Sequence, residues 1–181
     1  MSIINRSNLI QKGMFDIPEG IERIAEKAFW KCNDVKVIEI PASVKEIGKR
    51  AFGHCQNLLD VELPDGLTEL ADGLFSYCVE LPDLVIPSSV REIGRDVFLN
   101  CIKLTEIEIP YGVRELGIWT FLNCKKLSKV KLPNTITSVN DSAFQGCDSL
   151  ETIIVFNEKG EEKKFRSVGE YLDYVRKNNV G

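Results

Sequence analysis

Pro18, Pro41, Pro64, Pro87, Pro110 and Pro133 are each 23 residues apart, and Cys32, Cys55, Cys78, Cys101, Cys124 and Cys147 keep the same interval. A fixed period of this length is the signature of stacked repeats rather than of one irregular core. In such a stack each unit touches only its neighbours. Repeated residues therefore hold the coil together, and function has to be sought where the units differ. The columns are complete. Phe29, Phe52, Phe75, Phe98, Phe121 and Phe144 form one, and Val35, Leu58, Leu81, Leu104, Leu127 and Leu150 another. Two more precede the prolines: Ile38, Val61, Leu84, Ile107, Val130, Ile153 and Ile40, Leu63, Ile86, Ile109, Leu132, Val155. Each column predicts an apolar ladder inside the coil.

The alternation before each proline predicts a short strand. Val61 and Leu63 point inward and Glu62 outward, and Pro64 ends the strand because it has no amide hydrogen to donate. The column Ala25, Gly48, Ala71, Gly94, Gly117 suits a corner with little room for a side chain. The segment from each phenylalanine to its cysteine reads as one helical turn on the far side. Phe15 and Ile17 extend the strand register ahead of the first proline, and Ile153 and Val155 extend it past the last cysteine. About seven parallel strands are expected, stacked over roughly 29 Å.

A solenoid needs ends that hide its apolar cross-section. Residues 1–13 carry Ile3, Ile4, Leu9 and Ile10, enough for a short N-terminal cap, read as helical. Residues 14–156 are the solenoid. Residues 157–181 read as a C-terminal cap: a turn at Asn157–Gly160 closes a hairpin between Ile153–Phe156 and Glu162–Arg166. Ser167 and Glu170 then have capping-box spacing. A helix over about 168–177 presents Val168, Tyr171, Leu172 and Val175 on one face.

Leu58, Val61, Leu63, Pro64, Leu67, Leu70, Phe75 and Cys78, at their spacings, resemble the pattern of the BspA-like class of the leucine-rich repeat superfamily. The resemblance covers about residues 14 to 156. It implies an α/β solenoid: a right-handed coil of six 23-residue repeats with its parallel strands on a concave face. It also implies a non-enzymatic binding scaffold, like the bacterial or protist surface proteins of that class that contact host or neighbouring-cell proteins.

Composition narrows the partners. A net charge of −4 and a pI near 5.2 argue against nucleic acid or an anionic membrane surface. No apolar run approaches the length of a membrane span. The N-terminus shows no charged region followed by an apolar core, so no signal peptide is read there. A cytoplasmic location is expected from this and from the cysteines. A cell-surface or secreted one is expected if an export signal lies outside this sequence. The six cysteines are even in number, yet each holds the same place in its own unit. Parallel Cβ vectors do not give disulfide geometry, so a ladder of free, buried thiols is expected, with no metal site.

The sequence holds one histidine, His54, beside Cys55. Cys55 is a ladder position and His54 a turn-surface position, so no nucleophile–base pair is read, nor any phosphate loop or cofactor motif. The outward strand positions differ from unit to unit: Val37 and Glu39, Asp60 and Glu62, Asp83 and Val85, Glu106 and Glu108, Lys129 and Lys131, Thr152 and Ile154. Tyr111 lies just past one strand end. The candidate partner-binding strip is Glu39, Asp60, Glu62, Asp83, Glu106, Glu108, Lys129, Lys131 and Tyr111, suited to a protein or a basic peptide. A solvated charged face explains the same residues. The carboxylates are spread along the strip, which disfavours a divalent cation. Glu46, Glu69, Glu92 and Glu115 form a second stripe, read as a solvated face. Trp30 and Trp119 are off the repeated columns, and Tyr77 is the counterpart of His54. The expected function is a non-catalytic, monomeric protein-interaction scaffold. The alternatives are a cell-surface adhesion module and a self-associating structural module.

Overall fold

The structure, a computed structural model, describes residues 2–5 and 17–178. Phe15, Leu9 and Ile10 lie outside the described residues. In chain order the strands are β1 (Ile3–Ile4), β2 (Arg23–Ile24), β3 (Val37–Glu39), β4 (Glu46–Ile47), β5 (Asp60–Glu62), β6 (Glu69–Leu70), β7 (Glu92–Ile93), β8 (Glu106–Glu108), β9 (Glu115–Leu116), β10 (Lys129–Pro133), β11 (Ser138–Val139), β12 (Thr152–Phe156) and β13 (Glu162–Phe165). They wind into a coil of stacked parallel rungs, and every pairing within the repeats is offset by one 23-residue unit: Val37 faces Asp60, and Glu106 faces Lys129. The expected solenoid is therefore the fold.

The repeats build two rows of strands where the sequence pattern marks one. The pre-proline row contains β3, β5, β8, β10 and β12. The second row, of two-residue strands, pairs β1 with β2 and β2 with β4, β6 with β7, and β9 with β11. In the N-terminal segment, expected to be helical, residues Ile3 and Ile4 are thus a strand on the first rung.

The Phe-to-Cys segment is not a helical turn. Backbone donors alternate there. Ala28, Trp30 and Cys32 donate three residues back, to Ala25, Lys27 and Phe29, at 3.0–3.2 Å. Between them Lys27, Phe29 and Lys31 donate to Lys49, Ala51 and Gly53 of the next rung at 2.8–3.0 Å. Every second amide thus serves the neighbouring unit, which a helix would forbid by using all its amides locally. The path needs left-handed residues, and they recur in two columns. One holds Lys27, Arg50, Gly73, Asp96 and Trp119, and the other Lys31, His54, Tyr77, Asn100, Asn123 and Gly146, with φ between 49° and 74°.

The interior matches the columns. Phe52, Phe75, Phe98 and Phe121 are fully buried, and the six rings stack with centroids 5.0–6.1 Å apart. That spacing exceeds the ~4.8 Å rung repeat, so the rings are offset, the arrangement the ring quadrupole favours. The cysteines are free thiols. Each Sγ from Cys55 onward donates to the carbonyl of the previous unit's phenylalanine: Cys55 to Phe29 at 3.0 Å, Cys101 to Phe75 at 3.2 Å, Cys147 to Phe121 at 3.1 Å. The thiol therefore acts as a rung-to-rung donor as well as a small apolar filler.

Burial pushes the Cys55 and Cys147 thiols up to about 12 and holds Cys78, Cys101 and Cys124 well above the usual thiol range. Since the thiolate is the nucleophile, these five are expected to resist a thiol-directed disulfide reagent at pH 8 in the folded protein and to react together on denaturation. Rapid reaction of more than Cys32 under native conditions would contradict this. A thiol of raised folded pKa stabilises the fold below its unfolded value, so stability is expected to fall as pH rises above roughly 8.5.

The corner glycines divide into two kinds. A Cβ on Gly94 would lie 2.7 Å from the Asp72 backbone nitrogen, and one on Gly48 would lie 2.5 Å from that of Glu26. Their amides donate across at 2.8 Å to Leu70 and Ile24, which draws the rungs together. At Gly117 the nearest atom is an Arg95 side-chain carbon at 3.9 Å. Gly94→Ala is expected to destabilise by about 1–3 kcal/mol, and Gly117→Ala to be neutral or stabilising by up to ~1 kcal/mol. Thermal unfolding of the two variants side by side checks the pair, and equal losses would refute it.

At the C-terminal end β12 and β13 form the expected hairpin, with Ile153 facing Phe165 and Phe156 facing Glu162. The helix spans Val168–Asn178, and the Ser167 hydroxyl accepts from the Glu170 amide at 3.1 Å. Glu170 accepts from the Arg166 amide rather than from that of Ser167, so the capping box is shifted by one residue. Tyr171 and Val175 are buried against the solenoid and Tyr174 packs beside them, while Leu172 is not part of that core.

Candidate functional site

The outward residues of the pre-proline row are the candidate site. Alternation along each strand directs them: in β5, Val61 is buried while Asp60 and Glu62 are exposed. The structure brings Glu39, Asp60, Glu62 and Asp83 into one shallow hollow of about 720 Å³. Glu19 and Asp65 join its rim, and among the described residues no lysine or arginine lines it. None of Glu39, Asp60, Glu62 and Asp83 makes an ion pair among the described residues.

The other half of the strip is chemically different. Lys129 pairs with Glu106 at 2.7 Å, and Lys131 lies 3.6 Å from Glu108 and 3.3 Å from Glu162. The Glu162 hydrogen bond, and then the Glu108 charge, hold the Lys131 ammonium above its usual range. Facing rungs thus cancel each other here, because β10 sits directly against β8. The strip reads in sequence as four acidic rungs and one basic rung. In space, among the described residues, it is an acidic half without ion pairs and a self-neutralised half. Ile154, expected to point outward beside Thr152, is buried at the hairpin.

The ladder itself is interrupted in the middle of the strip. Residues 83–86 belong to no strand, and none of their backbone groups bonds to β5 or β8. Pro82 explains the first loss. In the other units the residue at this place donates to the preceding rung, as Leu59 does to Lys36 and Ser128 to Thr105, and proline has no such hydrogen. Pro82, alone among the seven prolines in lying off the 23-residue register, was the available signal. Val85, at the centre of this rung, is 83% exposed. Beyond it Tyr111 is 39% exposed, and Val85, Tyr111, Pro110 and Phe156 share a second hollow that adjoins the acidic one.

His54 is no part of this face. Its ring stacks on Tyr77 at 4.2 Å and meets Trp30 at 4.4 Å, a packed trio on the turn surface. Burial, then the charges of Lys31 and Arg50, lower its pKa, so it is neutral at pH 7. Trp119 is exposed, four repeats from Trp30, and does not join that trio. Among the described residues no group of histidine, cysteine and carboxylate side chains is arranged to hold a metal ion. No helix among them is long and apolar enough to cross a membrane.

The sequence matches the family model of the BspA type leucine rich repeat region in six copies, over residues 7–125 and 68–171. Among solved structures it is similar to the T. pallidum leucine-rich repeat protein TpLRR, at 31% identity over 75% of this chain and 76% of that one, with a TM-score of 0.65. A leucine-rich repeat protein from Bacteroides ovatus is 26% identical over 84% of this chain and 45% of its own, TM-score 0.66. A leucine rich cell surface protein from Faecalibacterium prausnitzii is 26% identical over 87% of this chain and 33% of its own, TM-score 0.51. The chain thus spans less than half the length of the latter two. No curated protein matches it. With six copies of the repeat spread over most of its length, the chain belongs to the BspA-type leucine-rich repeat family.

Proposed function

We propose that the chain is a non-catalytic protein-interaction module that binds a basic protein or peptide on its strand face. The observation that carries this is the hollow lined by Glu39, Asp60, Glu62 and Asp83, with no lysine or arginine among the described residues that line it. Like charges held side by side on consecutive rungs repel one another, and a cationic partner relieves that repulsion. The repeat family is generally non-catalytic, and the one histidine is packed between Trp30 and Tyr77.

The test compares the wild type with a variant carrying serine at Glu39, Asp60, Glu62 and Asp83. All four are exposed, so the fold should survive. Affinity capture from a lysate of the source cells is expected to yield a basic protein with the wild type, to lose it with the variant, and to weaken at high salt. An identical set of captured proteins for both would refute the reading. Sedimentation at rising concentration is expected to give the mass of a single 20.4 kDa chain throughout, which separates this reading from a self-associating module.

A surface-exposed role is the second reading. The Faecalibacterium prausnitzii relative described as a cell surface protein supports it. Surface biotinylation of intact source cells distinguishes the two, because an internal protein stays unlabelled.

A further inference from the structure

We propose that the ligand of the strand face is bipartite: an extended segment whose lysines or arginines lie over Glu39, Asp60, Glu62 and Asp83, and whose large apolar side chain seats on Val85, Tyr111 and Phe156. This rests on the reading that the strand face binds a basic partner, and it names what that partner must carry besides charge.

Three observations converge. Val85 takes the outward position held by Glu39 and Glu62 on the rungs before it and by Glu108 and Lys131 on the rungs after, and its side chain is 83% exposed. Solubility alone favours a charge at such a position. The apolar hollow is continuous with the acidic one, since Leu84 and Val85 line both, and its far wall is built by Pro110, Tyr111 and Phe156. The two hollows differ in charge. Glu108 lies on the rim of the apolar one, and Arg91 is tied to the Ser88 and Val90 carbonyls at 2.6 and 2.9 Å. The acids without an ion-pair partner among the described residues thus lie toward Glu39, while the hollow that holds Val85 carries charges of both signs, with Glu108 3.6 Å from Lys131. A cationic segment with an apolar end fits in one direction only.

The spacing follows from the rungs. Glu39 to Val85 is two rungs, ~10 Å at the rung repeat. An extended peptide covers that in about three residues. The basic residues must therefore fall within about three positions of the apolar one. A run of charge without the anchor, or an anchor far from the charge, fills only one of the two hollows. Tyr111 adds an aromatic surface with a polar tip, the kind of side chain that anchors interfaces.

The probes are three fluorescein-labelled peptides read by fluorescence anisotropy. One has consecutive lysines followed within three positions by a phenylalanine. The second has serine in place of that phenylalanine, and the third has serines in place of the lysines. The expected result is that the first binds at least tenfold more tightly than either other. Val85→Ser is expected to remove that advantage while leaving the weak, salt-sensitive binding of the lysine-only peptide. The serine variant of Glu39, Asp60, Glu62 and Asp83 is expected to lose both. If the first two peptides bind equally and Val85→Ser changes neither, the bipartite inference fails while the basic-partner reading stands. If the serine variant of the four acids binds the lysine peptides as the wild type does, or if no lysine peptide binds, both fail. Equal binding of the first and third peptides would also overturn the inference, because charge would then play no part. Val85 is exposed, so its substitution should leave the melting temperature unchanged and the comparison valid.

Discussion

Phe98→Ala is expected to cost about 3–5 kcal/mol, the range for truncating a buried phenylalanine. For a chain of this size that lowers the melting temperature by roughly 6–20 °C. Phe98 is fully buried and sits mid-stack, its ring 6.1 Å from Phe75 and 5.3 Å from Phe121. Removing it leaves a cavity and interrupts two ring pairs at once. In a coil where each unit leans only on its neighbours, the loss is concentrated at one interface. The halves before and after that rung are expected to uncouple, so that the unfolding transition broadens as well as shifts. Phe144→Ala is the control. Phe144 lies at the end of the column and stacks on Phe121 alone at 5.5 Å. It is expected to cost less and to leave the transition sharp. Calorimetry of both variants decides the matter, and equal, sharp transitions would sink the nearest-neighbour account.

The phenylalanine stack shows what the sequence could say about this fold. Identical residues at an identical interval must superpose once the chain coils, so rung register and core were readable from the columns. The turn path was less legible. Five of its eleven left-handed residues, Lys27, Lys31, Arg50, Tyr77 and Trp119, are of types that carry no conformational signature. The clue lay in the same two columns: Gly73 and Asp96 in one, Asn100, Asn123 and Gly146 in the other are residues that tolerate positive φ. The second row of strands has two residues per rung, too few to show a period of two. At the candidate site the outward positions were legible from alternation, and their charges with them. The neutralisation of Glu106 and Glu108 was also available, because Lys129 and Lys131 occupy the same columns one unit later. The burial of Ile154 was not, because it depends on how the hairpin folds at the end of the coil. Nor was the exposure of Val85 beside the unpaired rung, because a period identifies what repeats and Pro82 does not.

Removing residues 157–181 is expected to make the chain aggregate. The hairpin partner β13 pairs along Ile153 to Phe156, and Phe165, Tyr171 and Val175 close the apolar end of the stack. Without them the terminal strand is Thr152-Ile153-Ile154-Val155-Phe156. It is uncharged, β-branched along most of its length and open along one edge, the combination that templates pairing with another chain. The retained edge strand β13 reads Glu162-Lys163-Lys164-Phe165, and its charges oppose such pairing. A partner-docking role for the helix predicts something else: binding would be lost and the solenoid left intact. Tyr171→Ala separates the two without exposing the edge. Tyr171 is 1% exposed and packs edge-on against Phe165 at 5.7 Å. Its truncation is expected to lower stability by roughly 3 kcal/mol. If the shortened chain sediments as a folded monomer and Tyr171→Ala melts with the wild type, the solenoid closes itself and the helix serves something else.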